Sequence, residues 1–582
     1  MKFLLILFIF LSACSQKKQA QCEADKLYSD YYEWLMESFP TYASAKGWGE
    51  RHNTFFQNTV TNLNKIQDER KDFLSKISDL MDYKECEDQK INLSLLKSNI
   101  KDDVDEFKFE TYYIQFQSMG GPHTWLPQLY KRVPLKTLQN YKDYLERMSK
   151  IPTVFNQARK MSLIGLEKGI TPPQITFKNY ETSILDMASG QAEKSPYYAP
   201  FLKISDDISL DDQKKLKAEA KKIILQELQP AYKELHTFWV KSYYPNLRTS
   251  IAASDLPQGE EFYEFQIKKM TTLKLTAKEI HEKGKSEVSR ILNEMKSIQK
   301  KVGFKGEFKD FIKHLRTNPK FYAKTPEELM SKTAVILKTI DGKLPKLFKT
   351  LPMLPYGLEP IPDFIAHKSP AAYYMRGDIK IGKAGTYQLN LSELKSRPLY
   401  NLVALSLHEA VPGHHLQIAL AQELKDIPEF RKESGPTAFV EGWGLYSESL
   451  GKLVGMYEDP YDDFGRLNYE QWRALRLVVD TGLHAFGWSR DRAIDYMKEN
   501  SGLSEKNIIT EVDRYINWPG QALAYKMGEL KIQELKRKSK EALNDKFDIR
   551  DFHDVVLKEG AIPLPLLEKN VDAYILKTKE AI

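Results

Sequence analysis

Cysteine is nearly absent. Cys14, Cys22 and Cys86 are the only three in 582 residues, so at most one intramolecular bridge can form. If Cys14 is modified, Cys22 and Cys86 remain, and the sequence leaves open whether they pair or stay as thiols. Beyond the first residues, no stretch reaches 18 consecutive apolar positions, which excludes a membrane-spanning helix in the mature chain. Clustered positive charge is missing too. The 86 basic and 79 acidic residues are dispersed and leave a formal charge of +7, which excludes the one-sided basic footprint of a nucleic-acid binder. Internal repeats and low-complexity tracts are absent. What is present is a soluble globular composition, 42% hydrophobic and 28% charged. The length implies two or more domains, or one large helical enzyme.

The opening "MKFLLILFIFLSACSQKK" has one Lys and an apolar run from Phe3 to Leu11. That run is too short to span a bilayer and reads as a signal peptide. Leu11-Ser12-Ala13-Cys14 resembles the lipobox of bacterial lipoproteins, which implies a signal over residues 1–13, lipidation of Cys14 and a tether over 14–24. The expectation is a bacterial envelope protein held to a membrane by lipid, and Ser15 after Cys14 suits the outer membrane. An exported chain also lives where a Cys22–Cys86 disulfide is permitted.

Most of residues 25–582 reads as helix. "SLDDQKKLKAEAKKIILQELQPAYKELHTFWVK" begins with a cap-like Ser and carries apolar residues at three-to-four spacing. "TAKEIHEKGKSEVSRILNEMKSIQKKVG" and "TPEELMSKTAVILKTIDGKL" open in capping-box fashion with Thr and a Glu within the first turn. Gly and Pro gather into expected loops near 118–128, 351–364 and 518–521, and a soft boundary is expected near 250–258. "AGTYQLNLSEL", Ala384 to Leu394, alternates polar and apolar residues and predicts a strand.

The chemistry gathers in "LSLHEAVPGHHLQ", Leu405 to Gln417. A helix supplies two histidines to one zinc ion when they stand four apart, but the fourth residue after His408 is Pro412. On a straight helix His414 would point about 120° away, and His415 would sit about 10 Å further along the axis. Pro412 lacks an N–H and its ring clashes with the carbonyl four residues back, while Gly413 tolerates unusual backbone conformations. A Pro-Gly bulge is therefore expected. The bulge is expected to absorb two residues, which makes His414 the second ligand and leaves His415 facing substrate or supporting the site. If it absorbs three, His415 is the ligand. "TAFVEGWGLYSESL" follows, placing Glu441 27 residues after His414 and Glu448 seven after Glu441 on the same helix face. A carboxylate from a following helix is the usual third ligand to a His pair, which assigns His408, His414 and Glu441 to Zn2+. Glu409 is then free to act as general base.

These segments, with "RLVVDTGLHAFGWSRDRAIDYM" and "RYINWPGQALAYKMG", resemble the bacterial family catalogued as domain of unknown function 885, most strongly from about 370 to 535. The resemblance extends to gluzincin-like metallopeptidases of the carboxypeptidase Taq and angiotensin-converting-enzyme type, which have His-Glu-x-Gly-His and a later glutamate helix. Against them this chain carries two extra residues. The resemblance implies a mainly α fold with a deep cleft, a small β element beside the metal helix, and a peptide substrate that pairs with the strand containing Tyr387. Tyr525 and His484 are candidates to hold an oxyanion. Arg473, Arg476 and Arg514 are candidates to bind a substrate carboxylate, and Glu448 to support the site. The expected function is a zinc-dependent peptidase. The competing reading is a metalloprotease-fold lipoprotein without turnover, serving as a binding or structural module.

Overall fold

A computed structural model describes residues 22–580, apart from 50–51, 119, 367–368, 380–381, 426 and 434; Cys14, the expected lipidation site, lies outside them. The described chain is mainly α, 71% helical with a small three-stranded sheet. None of its helices is long and apolar enough to cross a membrane. It divides into two compact units, the first running to Arg248 and taking in Pro428–Phe430, the second made of Thr249–Ile427 and Arg431–Ile582.

In the first unit, Cys22 and Cys86 form a disulfide across a separation of 64 residues. Its larger core is aromatic, built on Phe116, Tyr144, Phe155, Tyr232 and Trp239. The helix expected from Ser209 onward begins with the Ser209 hydroxyl accepting from Asp212 N–H. It then widens into a π turn, Ile224–Leu228, before continuing as Gln229–Phe238. The wider turn sits immediately before Pro230, whose ring would press on the carbonyl four residues back in an unbroken α-helix. The expected loop at 118–128 instead contains a short helix, Pro122–Trp125, with proline at its first position.

The second unit holds every other candidate residue. Helix α1 (Ala277–Lys301) starts with the Thr276–Glu279 capping box. Strands β1 (Tyr356–Pro360), β2 (Ala372–Met375) and β3 (Gly385–Leu389) follow, then helices α2 (Leu402–Glu409), α3 (His414–Glu423), α4 (Thr437–Leu450), α5 (Pro460–Ala485), α6 (Glu505–Asn517) and α7 (Leu523–Leu543). Sheet order is β1-β3-β2, with β1 parallel and β2 antiparallel to β3. The strand expected in "AGTYQLNLSEL" is thus β3, and it is the central strand. Both its edges are taken, so it cannot pair with substrate; Tyr387, fully buried in it, faces a core with Leu389, Leu402 and Leu405. Among the described residues the free edges belong to β1 and β2.

Helix α5 is buried almost throughout from Phe464 to His484, although it carries many polar side chains. Such burial is tolerated only where those groups find partners. Arg466 pairs with Asp463 and Glu470, Asp480 accepts from Tyr263 Oη at 2.7 Å, and His281 bonds Thr481 at 2.8 Å. Lys526 of α7, with no exposed side-chain surface, sits among Glu287, Glu470 and Glu529 at 2.8–3.0 Å. These carboxylates hold the ammonium charged in a place where it could not otherwise remain so. Beside them α4 crosses α7 closely: a Cβ on Gly528 would fall 1.8 Å from the Ala438 carbonyl oxygen.

Candidate metal centre

The metal helix does not bulge; it stops and restarts. Helix α2 ends at Glu409, residues 410–413 form a turn, and α3 begins at His414. Across the break His415 N–H donates to Ala410 O at 3.0 Å and Gln417 N–H to Gly413 O at 3.1 Å. Pro412, preceded by a cis peptide, has no N–H to offer the helix. Gly413 is needed where the chain returns: a Cβ there would lie 1.9 Å from the His408 carbonyl oxygen. Glycine lets the returning chain touch the end of α2 and fold His414 back over His408.

The two rings stand 4.7 Å apart at 89°. Glu441 Oε2 of α4 is 3.7 Å from the Nε2 atoms of both His408 and His414. One ligand atom from each of the three residues lies within 4.8 Å of the others. Bonds of 2.0–2.2 Å in a tetrahedron separate ligand atoms by about 3.3–3.4 Å, and the two Glu441 contacts at 3.7 Å stand within a few tenths of an ångström of that spacing. The donor set, two imidazoles and one carboxylate, suits zinc. His415 is not part of it. Its Nδ1 is hydrogen-bonded to Tyr374 Oη at 3.0 Å and its ring packs on Tyr356, 4.8 Å away.

His408 Nδ1–H donates to Glu448 Oε1 at 2.8 Å, which orients the ring with Nε2 toward Glu441. A carboxylate behind a ligating histidine is the usual means of orienting such a ring. Burial opposes the charged form of His408, but the neighbouring carboxylates of Glu441 and Glu448 outweigh it and raise its pKa to about 9. Burial likewise works against the Glu441 carboxylate, yet His408 and His414 bring it down to about 2. Burial drives the pKa values of His414 and His415 down to about 4. The protein without metal thus places one proton on His408 and keeps the other ligands ready.

Glu409 Oε2 accepts the Tyr374 N–H of edge strand β2 at 3.0 Å, outside the ligand trio. Burial raises its pKa to about 7, with the Glu441 charge adding and those of His408 and Arg473 opposing. Arg473 lies 3.9 Å from Glu448 Oε1 and donates to Tyr469 O at 3.3 Å. Tyr525 is near enough to Glu441 for that charge to raise its pKa, after burial itself. Its ring stacks on the Arg476 guanidinium at 4.5 Å.

Other sequence candidates are committed elsewhere. His484 accepts Ala253 N–H at Nδ1 and donates from Nε2 to Tyr515 O, each at 2.9 Å; both nitrogens are used by backbone, so it has no donor left for an oxyanion. Arg514 is bonded to Glu511 and Gln521, and Arg476 to Tyr515 and Glu511, so side chains of the protein already take most of these guanidinium donors, Arg476 Nη1 excepted. Three contributors escaped the sequence reading. Tyr374 gives no local signal, being brought in by sheet pairing. Trp443 and Gly444 stand within the Glu-Gly-Trp-Gly run, where their regular spacing from Glu441 was the available clue: Trp443 Nε1–H donates to Pro412 O at 2.8 Å, and Gly444 makes room for the His408 ring.

The profile of the family described as "Bacterial protein of unknown function (DUF885)" matches residues 40–571. A solved structure, the "putative lipoprotein" from Colwellia psychrerythraea, shares 28% identity with a TM-score of 0.88, covering 95% of this chain and 98% of that one. A "putative lipoprotein of unknown function" from Shewanella oneidensis has the same fold at 17% identity and a TM-score of 0.70, covering 93% and 98%. No curated protein matches the chain.

Proposed function

The chain belongs to this family of bacterial proteins of unknown function, and from its His-His-Glu centre we propose that it is a zinc-dependent hydrolase that cleaves peptides. The observation carrying the proposal is the division of labour between two neighbouring acids. Glu441 converges with His408 and His414, whereas Glu409 stays outside the trio, tethered by one oxygen to β2. Three protein ligands, rather than four, are the donor set of a catalytic zinc site. Bound zinc would polarise a substrate carbonyl and make water more acidic.

Glu409 would take the proton from attacking water and pass it to the leaving amine, and its pKa of about 7 suits both transfers. The free edge of β2 beside it offers backbone groups to an extended peptide. Among the described residues the Tyr525 hydroxyl makes no hydrogen bond, leaving it able to donate to a developing oxyanion near Glu441. The leader and the two neighbours described as lipoproteins support a lipid anchor at Cys14 in the bacterial envelope, with the outer membrane as the finer proposal.

A metal-holding module without turnover is the competing function, favoured by side-chain exposures of only 4%, 12% and 22% for His408, His414 and Glu441. One experiment separates the two. Metal content is measured for wild type and Glu409→Gln, and both are given a mixed peptide panel with and without chelator. The hydrolase reading expects zinc in both proteins, chelator-sensitive cleavage by wild type, and turnover reduced about 10²–10⁴-fold in Glu409→Gln. Equal cleavage by the two overturns the role of Glu409. Tight zinc with an intact panel establishes the binding module.

A further inference from the structure

The two histidines of the centre are supported unequally. His408 has Glu448 behind its Nδ1. His414 has nothing comparable: its Nδ1 is buried and, among the described residues, without a hydrogen-bond partner. A ligating imidazole normally gives its second nitrogen to an orienting group, so the aim of His414 must come from its backbone. That backbone is the first residue of α3, and its place depends on the turn 410–413.

One side chain from another helix grips this turn. Trp443 Nε1–H donates to Pro412 O at 2.8 Å, two residues before His414, and the bond is buried. The indole, fully buried itself, is boxed by rings: Phe348 at 6.2 Å, Tyr446 at 5.5 Å and His553 at 5.6 Å. His553 is in turn fixed at both nitrogens, by Tyr446 Oη at 2.9 Å and Leu347 O at 2.8 Å. Trp443 stands two residues after Glu441 on α4, and the next residue, Gly444, faces the His408 ring. A single stretch of helix therefore supplies one ligand, abuts the second and holds the turn that delivers the third.

We propose that Trp443 is a positioning residue for the metal: by holding the Pro412 carbonyl it aims His414, as Glu448 aims His408. This rests on the zinc reading above and extends it to a residue that never touches the ion. Without the indole N–H the turn keeps, among the described residues, its terminal backbone bonds, and His414 can swing away from Nε2 of His408.

The test is zinc affinity of purified, metal-stripped protein, measured by competition with a chelating dye. Trp443→Phe removes the N–H and keeps an aromatic body. If it fails to fold, benzothienylalanine at 443, which replaces the N–H by sulfur at nearly constant shape, isolates the same bond. Tyr446→Phe is the reference, since it loosens the same aromatic box without touching the turn. Removing an outer-shell partner weakens metal binding about 10–100-fold; that loss is expected for either change at 443, with Tyr446→Phe within about threefold of wild type. Unaltered affinity after loss of the N–H overturns the inference, and so does an equal loss in Tyr446→Phe. A wild type that takes up no zinc overturns the metal reading itself and Trp443's role with it.

Discussion

Gly444→Ala should damage the metal centre while leaving the protein folded. Glycine costs a helix interior about 1 kcal/mol relative to alanine, so α4 on its own gains from the change. The added methyl, however, would meet His408 at 2.8 Å from Cε1, 2.9 Å from Nε2 and 3.2 Å from Nδ1. Ordinary contact begins near 3.4 Å, so the ring must retreat by about 0.6 Å, whereas metal–ligand distances tolerate about 0.2 Å. Retreat is resisted by the 2.8 Å bond to Glu448, a charged hydrogen bond of roughly 1.5–3 kcal/mol. Metal-free Gly444→Ala should therefore be destabilised by about 0.5–2 kcal/mol, the lost bond less the helix gain. Displacing a ligand should cost more than losing an outer-shell partner, that is, beyond about 100-fold in zinc affinity or about 2.7 kcal/mol. Thermal melts with and without zinc, together with dye competition, separate the two effects. Zinc affinity within threefold of wild type would refute the reasoning, because the ring would then have somewhere to go.

His414→Ala should strip zinc, while His415→Ala should retain it and instead loosen the contact with Tyr374 and Tyr356; metal analysis of the two proteins checks this, and the reverse result would reassign the ligand. Zinc binding must displace the proton that Glu441 and Glu448 stabilise on His408, so apparent affinity should climb about tenfold per pH unit up to about 9 and then level off. Levelling near 6.5 would mean that those carboxylates do not hold the proton. The same raised pKa makes His408 stabilise the metal-free fold fully below pH 6.5, and that contribution should fade as pH rises through about 9, read from melting curves without zinc. Cys14→Ala should abolish labelling with radioactive fatty acid, and persistent labelling would remove the proposed anchor.

The elements legible in the sequence were those set by local chemistry. Ser209, Thr276 and Thr325 each accept a hydrogen bond from the third helical N–H, as their positions promised. His408, His414 and Glu441 could be assembled because an interrupted helix must turn at Pro412. The manner of the turn was not legible: residues near 410–413 read as a bulge, whereas the helix stops and restarts there, its turn held by a long-range contact with α4. Strands β1 and β2 were hidden in a Pro- and Gly-rich region around "LPMLPYGLEP" and in "AAYYM" because they depend on pairing with β3 rather than on their own alternation. The strand expected to pair with substrate proves to be central for the same reason, since alternation marks a strand without saying which of its edges is free. His484 misled because an isolated histidine carries no record of its partners, and here both are backbone groups on distant segments.

The Cys22–Cys86 bond gives this polypeptide two stabilities, one on each side of the membrane it is expected to cross. Closing a loop of 64 residues removes chain entropy from the unfolded state worth about 4 kcal/mol. In the reducing cytosol, where such bonds are rare, the first unit would lack that contribution and remain easier to unfold. A secretion channel accepts loose chains more readily than folded ones. Oxidation after passage would then act as a latch, hardening the amino-terminal unit once threading is over and denying the chain the pliability it had on the way out.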